Sequence, residues 1–190
     1  MKGVSNLIVI AGGSSNGKTA ILNELSSRGY ITFPEVARVF LEERRKELSD
    51  KEYLFPSKKE TEYRQREIYS RQFKLEESLA KKEGVYFIER SLVDVLVFSK
   101  YFLGAEFFQG EDFKQRTYSN VFIPENLDFT KGKIRVEKDI HEAKKINELI
   151  ITAYSDLGYC PDIVPNFRGT RQEQIKRRTD YILTKLREKF

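Results

Sequence analysis

Leu7-Ile8-Val9-Ile10-Ala11-Gly12-Gly13-Ser14-Ser15-Asn16-Gly17-Lys18-Thr19 decides how this chain folds. Five apolar residues run into the pattern G-x-x-x-x-G-K-T, and Ile21, Leu22 and Leu25 follow at helical spacing. The order is a buried strand, a glycine-rich turn and a helix start, which is what a phosphate-binding loop requires. Gly12 and Gly17 let the backbone bend and approach a ligand closely. The N–H groups of Gly13, Ser14, Ser15 and Asn16 then converge with the helix N-terminus on one small volume, which suits an anion. Lys18 sets a positive charge near the β and γ phosphates, and Thr19 offers its hydroxyl to Mg²⁺. The competing reading is a structural glycine turn between a strand and a helix.

Outward from this stretch, strand-like and helical runs alternate, which predicts an α/β fold with a parallel sheet. Strands are expected at residues 7–11, 30–33, 85–88, 120–123 and 160–164. Helices are expected at 17–28, 34–48, 58–83, 91–102, 105–118, 139–157 and 170–189. Residues 49–57 read as a charged connector containing a proline, and about 124–138 as a lid loop. The expected fold class is therefore a doubly wound α/β fold of the P-loop NTPase type, a five-stranded parallel sheet with helices on both faces, and the resemblance given below implies a nucleoside/nucleotide kinase-like version of it. In such sheets ligands sit at the carboxyl ends of the strands. The residues just past each strand thus become site candidates: 12–19, Pro34 and Glu35, 89–91, 124–128 and 165–168.

Composition bounds the rest. The 190 residues fit one domain, 39% hydrophobic content supports a core, and 33% charged residues favour solubility. Mean hydropathy is −0.54. No apolar run approaches the ~20 residues of a membrane span, and 7–11 is too short for a signal-peptide core, so no membrane partner is expected. The single cysteine, Cys160, excludes an internal disulfide and fits a reducing, cytoplasmic setting. It reads as a small apolar residue at a strand start. A net charge of +5 suits an anionic substrate such as a nucleotide, and no nucleic-acid motif accompanies it. Oligomeric state is not legible.

Glu35 follows the second strand. It is positioned to accept a proton from a substrate hydroxyl or to hold a water on Mg²⁺, or else it simply favours a helix N-terminus. Glu89-Arg90-Ser91 closes the third strand. Glu89 can complete a Mg²⁺ shell, and Arg90 can fork onto phosphate oxygens, the alternative being an ordinary ion pair. Lys131, Lys133 and Arg135 give the lid loop a basic character that would close over phosphates, or else remain solvated. Tyr69 and Gln72 are candidates for an acceptor pocket. Tyr101, Phe102, Phe107, Phe108 and Phe113 read as core, the basic face with Arg64 and Arg71 as solvated ion pairing, and His141 as a helix-flanking residue without a site.

These residues resemble the AAA-type domain of the NadR-like group, which includes a ribosylnicotinamide kinase domain and a eukaryotic GTP-binding member. Residues 33–38 (FPEVAR) are similar to that group's Pro-Glu-Ala-Ala-Arg stretch. Asp94 matches an Asp in its helix after strand three. Residues 148–159 match a helix ending in Leu-Gly-Tyr, and Ile134-Arg135-Val136-Glu137 precedes that helix. The Glu-Arg-Ser triplet is also what deoxynucleoside kinases carry, whereas the NadR-like group has Asp-Arg there. The resemblance implies that Glu89 and Arg90 serve the transferring phosphate and that Glu35 acts as base. It also implies that residues 166–170, with Asn166 and Arg168, lie beside the nucleotide base. ATP or GTP with Mg²⁺ is the expected cofactor set. The expected activity is an ATP-dependent kinase acting on a small nucleoside-like or ribosyl acceptor. The alternatives are a hydrolase or nucleotide switch coupled to a partner, and a polynucleotide end kinase.

Overall fold

The computed structural model describes residues 5–14, 16–104, 117–126 and 140–188. Five strands form one sheet: β1 (Ser5–Ile10), β2 (Ile31–Phe33), β3 (Gly84–Glu89), β4 (Asn120–Pro124) and β5 (Asp162–Val164). Their spatial order is β2-β3-β1-β4-β5, all parallel. Ile10 pairs with Glu89 on one side and with Phe122 on the other, and Pro124 pairs with Val164. The register therefore brings the ends of β1, β3, β4 and β5 to one edge, where the candidate residues follow.

Among the described residues, seven helices accompany the strands: α1 (Lys18–Ser27), α2 (Val36–Arg45), α3 (Asp50–Leu54), α4 (Lys58–Ala80), α5 (Leu92–Leu103), α6 (Ile140–Asp156) and α7 (Arg171–Arg187). Side-chain alternation along the strands assigns them to two faces. Leu7, Val9, Tyr86, Ile88, Val121 and Ile123 pack with Leu79 of α4, Leu92 and Val97 of α5, and Ile146, Ile150 and Tyr154 of α6. Ile8, Ile10, Phe87, Phe122 and Val164 turn the other way, onto Ile21, Leu22 and Leu25 of α1 and Ile182 and Leu186 of α7. Both faces are covered, so the strands read as continuous apolar runs. Each fully buried side chain of this size contributes roughly 1.5–3 kcal/mol. A smaller cluster of Phe40, Ile68 and Val95 fastens α2 to α4 and α5.

Three expectations change here. Residues 50–54 are helical, because Ser49 accepts from the Glu52 N–H while Glu52 returns to the Ser49 N–H, a complete capping box. Cys160 is exposed and lies ahead of β5, which starts at Asp162. Arg64 is buried rather than solvated: it pairs with Glu60 at 2.8 Å, donates to the Tyr53 carbonyl and lies 4.9 Å over the Tyr53 ring. Of the helix expected at 105–118, residues 105–116 lie outside the described residues and 117–118 are not helical; most of the lid, 127–138, also lies outside them. Among the described residues, no helix is long and apolar enough to cross a membrane.

Candidate functional site

The loop after β1 crosses to α1 through two left-handed glycines, Gly12 at φ 115° and Gly17 at φ 80°. A Cβ on Gly12 would lie 2.7 Å from Asn147 Oδ1 and 2.8 Å from Asn16 Nδ2, so glycine is required by space as well as by conformation. Gly17 caps α1 with no side-chain acceptor, and the first turn of α1 has no acidic residue. By contrast α3, α5 and α7 each begin with a capping box. The first N–H groups of α1 and its dipole are thus left for a bound anion.

Side chains from distant elements hold this loop in place. The Gly12 N–H donates to Asp94 Oδ1 at 3.1 Å, and the Gly13 N–H donates to Asn147 Oδ1 at 3.0 Å. Asn16 Nδ2 donates to the Pro124 carbonyl at 2.8 Å and to Asn147 Oδ1 at 3.0 Å. Arg90 Nη1 reaches the Gly12 carbonyl at 2.9 Å, and Arg178 Nη1 reaches the Asn16 carbonyl at 2.7 Å. Asp94 is itself fixed as the N3 residue of the α5 capping box, and it also accepts from Tyr154 Oη at 2.8 Å.

Beside the loop, toward β3 and β2, the charges of Lys18, Glu35, Glu89 and Arg90 converge. Thr19 Oγ1 donates to Glu89 Oε1 at 2.9 Å, which joins the two predicted Mg²⁺ ligands. A hydroxyl with one carboxylate is the donor set Mg²⁺ takes when phosphate oxygens and water complete its octahedron. Arg90 Nε lies 2.8 Å from Glu35 Oε1, and its guanidinium carbon sits 4.4 Å over the Phe98 ring. Arg90 holds φ 65°, a left-handed conformation costly for a side-chain-bearing residue. Its N–H bonds the Ile10 carbonyl, and its own carbonyl accepts from Gln72 Nε2 at 3.3 Å. Lys18 is 5% exposed and donates to the Gly13 carbonyl.

The charge balance follows from this crowding. Burial, reinforced by the Arg90 cation, lowers Lys18 to about 8. Burial also pushes Glu35 up, but Arg90, Lys18 and Arg38 outweigh it and hold the carboxyl below its ordinary value. Glu89 is raised, by burial first and by the Glu35 charge second. Glu35 is therefore the readily ionised carboxylate of the pair.

Of the predicted residues, Gly12, Gly13, Ser14, Asn16, Gly17, Lys18 and Thr19 form the loop, and Glu35, Glu89 and Arg90 gather at its β3 side. Ser15, Lys131, Lys133 and Arg135 lie outside the described residues. Asn166 and Arg168 sit apart from the charged cluster, exposed after β5. Asn166 donates its N–H to Glu125 Oε2 at 2.8 Å and its amide to the Asn126 carbonyl at 3.1 Å. Gln72 does not line an acceptor pocket: it is 2% exposed and binds Glu76 and the Arg90 carbonyl. Tyr69 packs at the edge of the core and stacks on Phe73. Asn147 and Arg178 escaped the sequence reading. Each is a polar residue inside an apolar helical stripe (Ala143, Ile146 and Ile150; Ile182 and Leu186), and that interruption was the available signal.

Comparison with known proteins identifies the family and the fold. A family model described as an AAA domain matches residues 7–174. No curated protein matches the chain in sequence. Among solved structures, a NadR protein in complex with NR superposes with TM-score 0.66 at 16% identity, covering 97% of this chain and 50% of that one. A deoxyadenosine kinase from M. mycoides, with dCMP and dCDP bound, gives TM-score 0.62 at 18% identity, covering 96% and 99%. A thymidylate kinase from Ehrlichia chaffeensis gives TM-score 0.61 at 13% identity, covering 96% and 99%. The chain thus spans about half the length of the NadR structure and nearly all of the two kinases. At these identities the likeness is one of fold.

Proposed function

Because the chain belongs to the AAA-domain family of P-loop proteins and has a kinase-like fold, we propose that it is a phosphotransferase moving the γ-phosphoryl group of ATP to a hydroxyl of a small nucleoside-like or ribosyl acceptor. One observation carries this reading. An ionised carboxylate, Glu35, stands 2.8 Å from Arg90, and that arginine also binds the Gly12 carbonyl of the phosphate loop. A base and a phosphate-directed cation are therefore held together on one side of the loop, where an acceptor would enter.

The residues divide the work. Within the loop 12–19, the N–H groups at the start of α1 and the Lys18 ammonium bind the phosphates of the substrate ATP, while Gly12 and Gly13 shape the turn. Thr19 and Glu89 would hold Mg²⁺, which when bound neutralises charge on the β and γ oxygens. Glu35 takes the proton of the acceptor hydroxyl as that oxygen bonds to the γ phosphorus. The bond from the γ phosphorus to the β–γ bridging oxygen breaks, and ADP departs. Arg90 stabilises the charge spread over the transferring group. The NR bound in the NadR structure and the dCMP and dCDP bound in the deoxyadenosine kinase support a nucleoside-like acceptor.

The test is ADP release with a panel of nucleosides and ribosyl compounds. At least one should raise the rate well above that of water. In that reaction Glu35→Gln should lower kcat by about 10²–10⁴-fold, the usual contribution of a general base, with ATP affinity retained. A panel without any acceleration would overturn the kinase reading.

A further inference from the structure

Arg178 is among the largest fully enclosed side chains of the described residues, at 1% exposure, yet it carries a charge. Its partners are all uncharged oxygens. Nη1 donates to the Asn16 carbonyl at 2.7 Å, Nη2 to the Glu125 carbonyl at 2.9 Å and to Asn166 Oδ1, and Nε to the Pro165 carbonyl at 3.3 Å. Those acceptors belong to three separate loops at the carboxyl edge, after β1, β4 and β5. No carboxylate lies within ion-pair distance of it among the described residues, and burial lowers its pKa. A cation buried among carbonyls is costly unless its geometry does something an apolar residue cannot. Here a planar fork meets oxygens arriving from three directions, which neither lysine nor methionine can do.

The location gives the fork its meaning. The groups that act on the γ phosphate (Glu35, Glu89 and Arg90) lie on the β2/β3 side of the phosphate loop. The strand order β2-β3-β1-β4-β5 leaves the β4/β5 side for the opposite end of the triphosphate, where the nucleoside is attached. Loops there are already joined to each other: the Glu125 N–H bonds the Val164 carbonyl at 2.9 Å, and the Asn166 N–H bonds Glu125 Oε2 at 2.8 Å. What joins this pair of loops to the phosphate loop is Arg178, helped by Asn16 Nδ2 on the Pro124 carbonyl.

We infer that Arg178 is a positioning residue for the nucleotide base, fixing the walls after β4 and β5 at a set distance from the phosphate loop so that base and phosphates bind as one ligand. The inference rests on the nucleotide reading above. It separates two quantities that a merely structural residue would not. The phosphate loop keeps its other supports (Asp94, Asn147 and Arg90), so affinity for a bare polyphosphate should survive loss of the fork, while the gain from an attached nucleoside should not.

The experiment measures Kd for magnesium tripolyphosphate and for a non-hydrolysable analogue of ATP or GTP, whichever binds the parent protein more tightly. Arg178→Lys, which keeps the charge and most of the packing, is compared with Arg178→Gln, with folding checked by circular dichroism. Both variants should bind tripolyphosphate within about threefold of the parent and lose about tenfold or more in affinity for the nucleotide. Equal losses for the two ligands, no loss for either, or failure of both variants to fold would overturn the inference. A parent protein that binds neither ligand would overturn the nucleotide reading itself, and this inference with it.

Discussion

Raising the pH through 8 perturbs Lys18 selectively, because enclosure and the neighbouring Arg90 bring its ammonium from the ordinary 10.5 down to about 8. The sign is set by which state tolerates the charge. Below pH 8 the fold must hold a charged lysine it disfavours. Between about 8 and 10.5 the folded chain sheds that proton while the unfolded chain keeps it, so this group adds stability as pH rises, at most about 3 kcal/mol for a shift of that size. Bound phosphates reverse the balance, since their oxygens favour the ammonium and return its pKa upward. Binding should then take up roughly half a proton per site at pH 8 and about 0.9 at pH 9, with almost none at pH 6.5. Affinity should fall by about tenfold for each pH unit above 8. Calorimetry with a magnesium-bound ATP analogue, in two buffers of different ionisation enthalpy, reads the proton count directly. Lys18→Arg should abolish the uptake. Absence of uptake at pH 8, or uptake growing toward acid, would refute the reasoning.

Other expectations concern stability and the loop. Glu89→Gln removes a carboxylate raised by burial and by Glu35. The melting temperature should therefore rise, by about 2–4 °C per kcal/mol relieved, while Mg²⁺-dependent turnover disappears; a lower melting temperature would contradict the charge balance described. Asn147→Ala strips the acceptor from the Gly13 N–H and from Asn16 Nδ2. It should cost about 1–3 kcal/mol in denaturant unfolding and weaken nucleotide binding, and unchanged binding would show that the loop stands without α6. Gly12→Ala places a methyl 2.7 Å from Asn147 Oδ1 at φ 115° and should eliminate nucleotide binding in a titration; retained binding would show that the loop tolerates rearrangement.

Much of this architecture is written locally. The apolar run 7–11 and the glycines at 12 and 17 predict strand, turn and helix because each is decided by neighbours a few residues away. The side of the loop that carries Glu35 and Arg90 follows from strand polarity, since residues past parallel strands must share an edge. Their 2.8 Å pairing brings together two loops that no short-range pattern connects. The supports of the loop were hidden for the same reason. Asn147 reaches Gly13 across 134 positions and Arg178 reaches Asn16 across 162. A lone amide or guanidinium in a helix announces a buried partner without saying which one. Helix α3 is written locally too, since Ser49 and Glu52 spell a capping box, but the charges around Pro56 give the same stretch the pattern of a connector. Cys160 misled because free cysteine is so often buried, whereas here the chain reaches the edge strand β5 two residues later.

The central claim is that residues 12–19 cradle a triphosphate with its magnesium ion, and Lys18→Ala tests it most directly. Calorimetric titration with Mg·ATP and with Mg·GTP should give saturable one-site binding to the parent protein with at least one of them, and that binding should be lost in the variant, folded by circular dichroism. Equal affinity in the two proteins, or no binding of either nucleotide to the parent, would contradict the account.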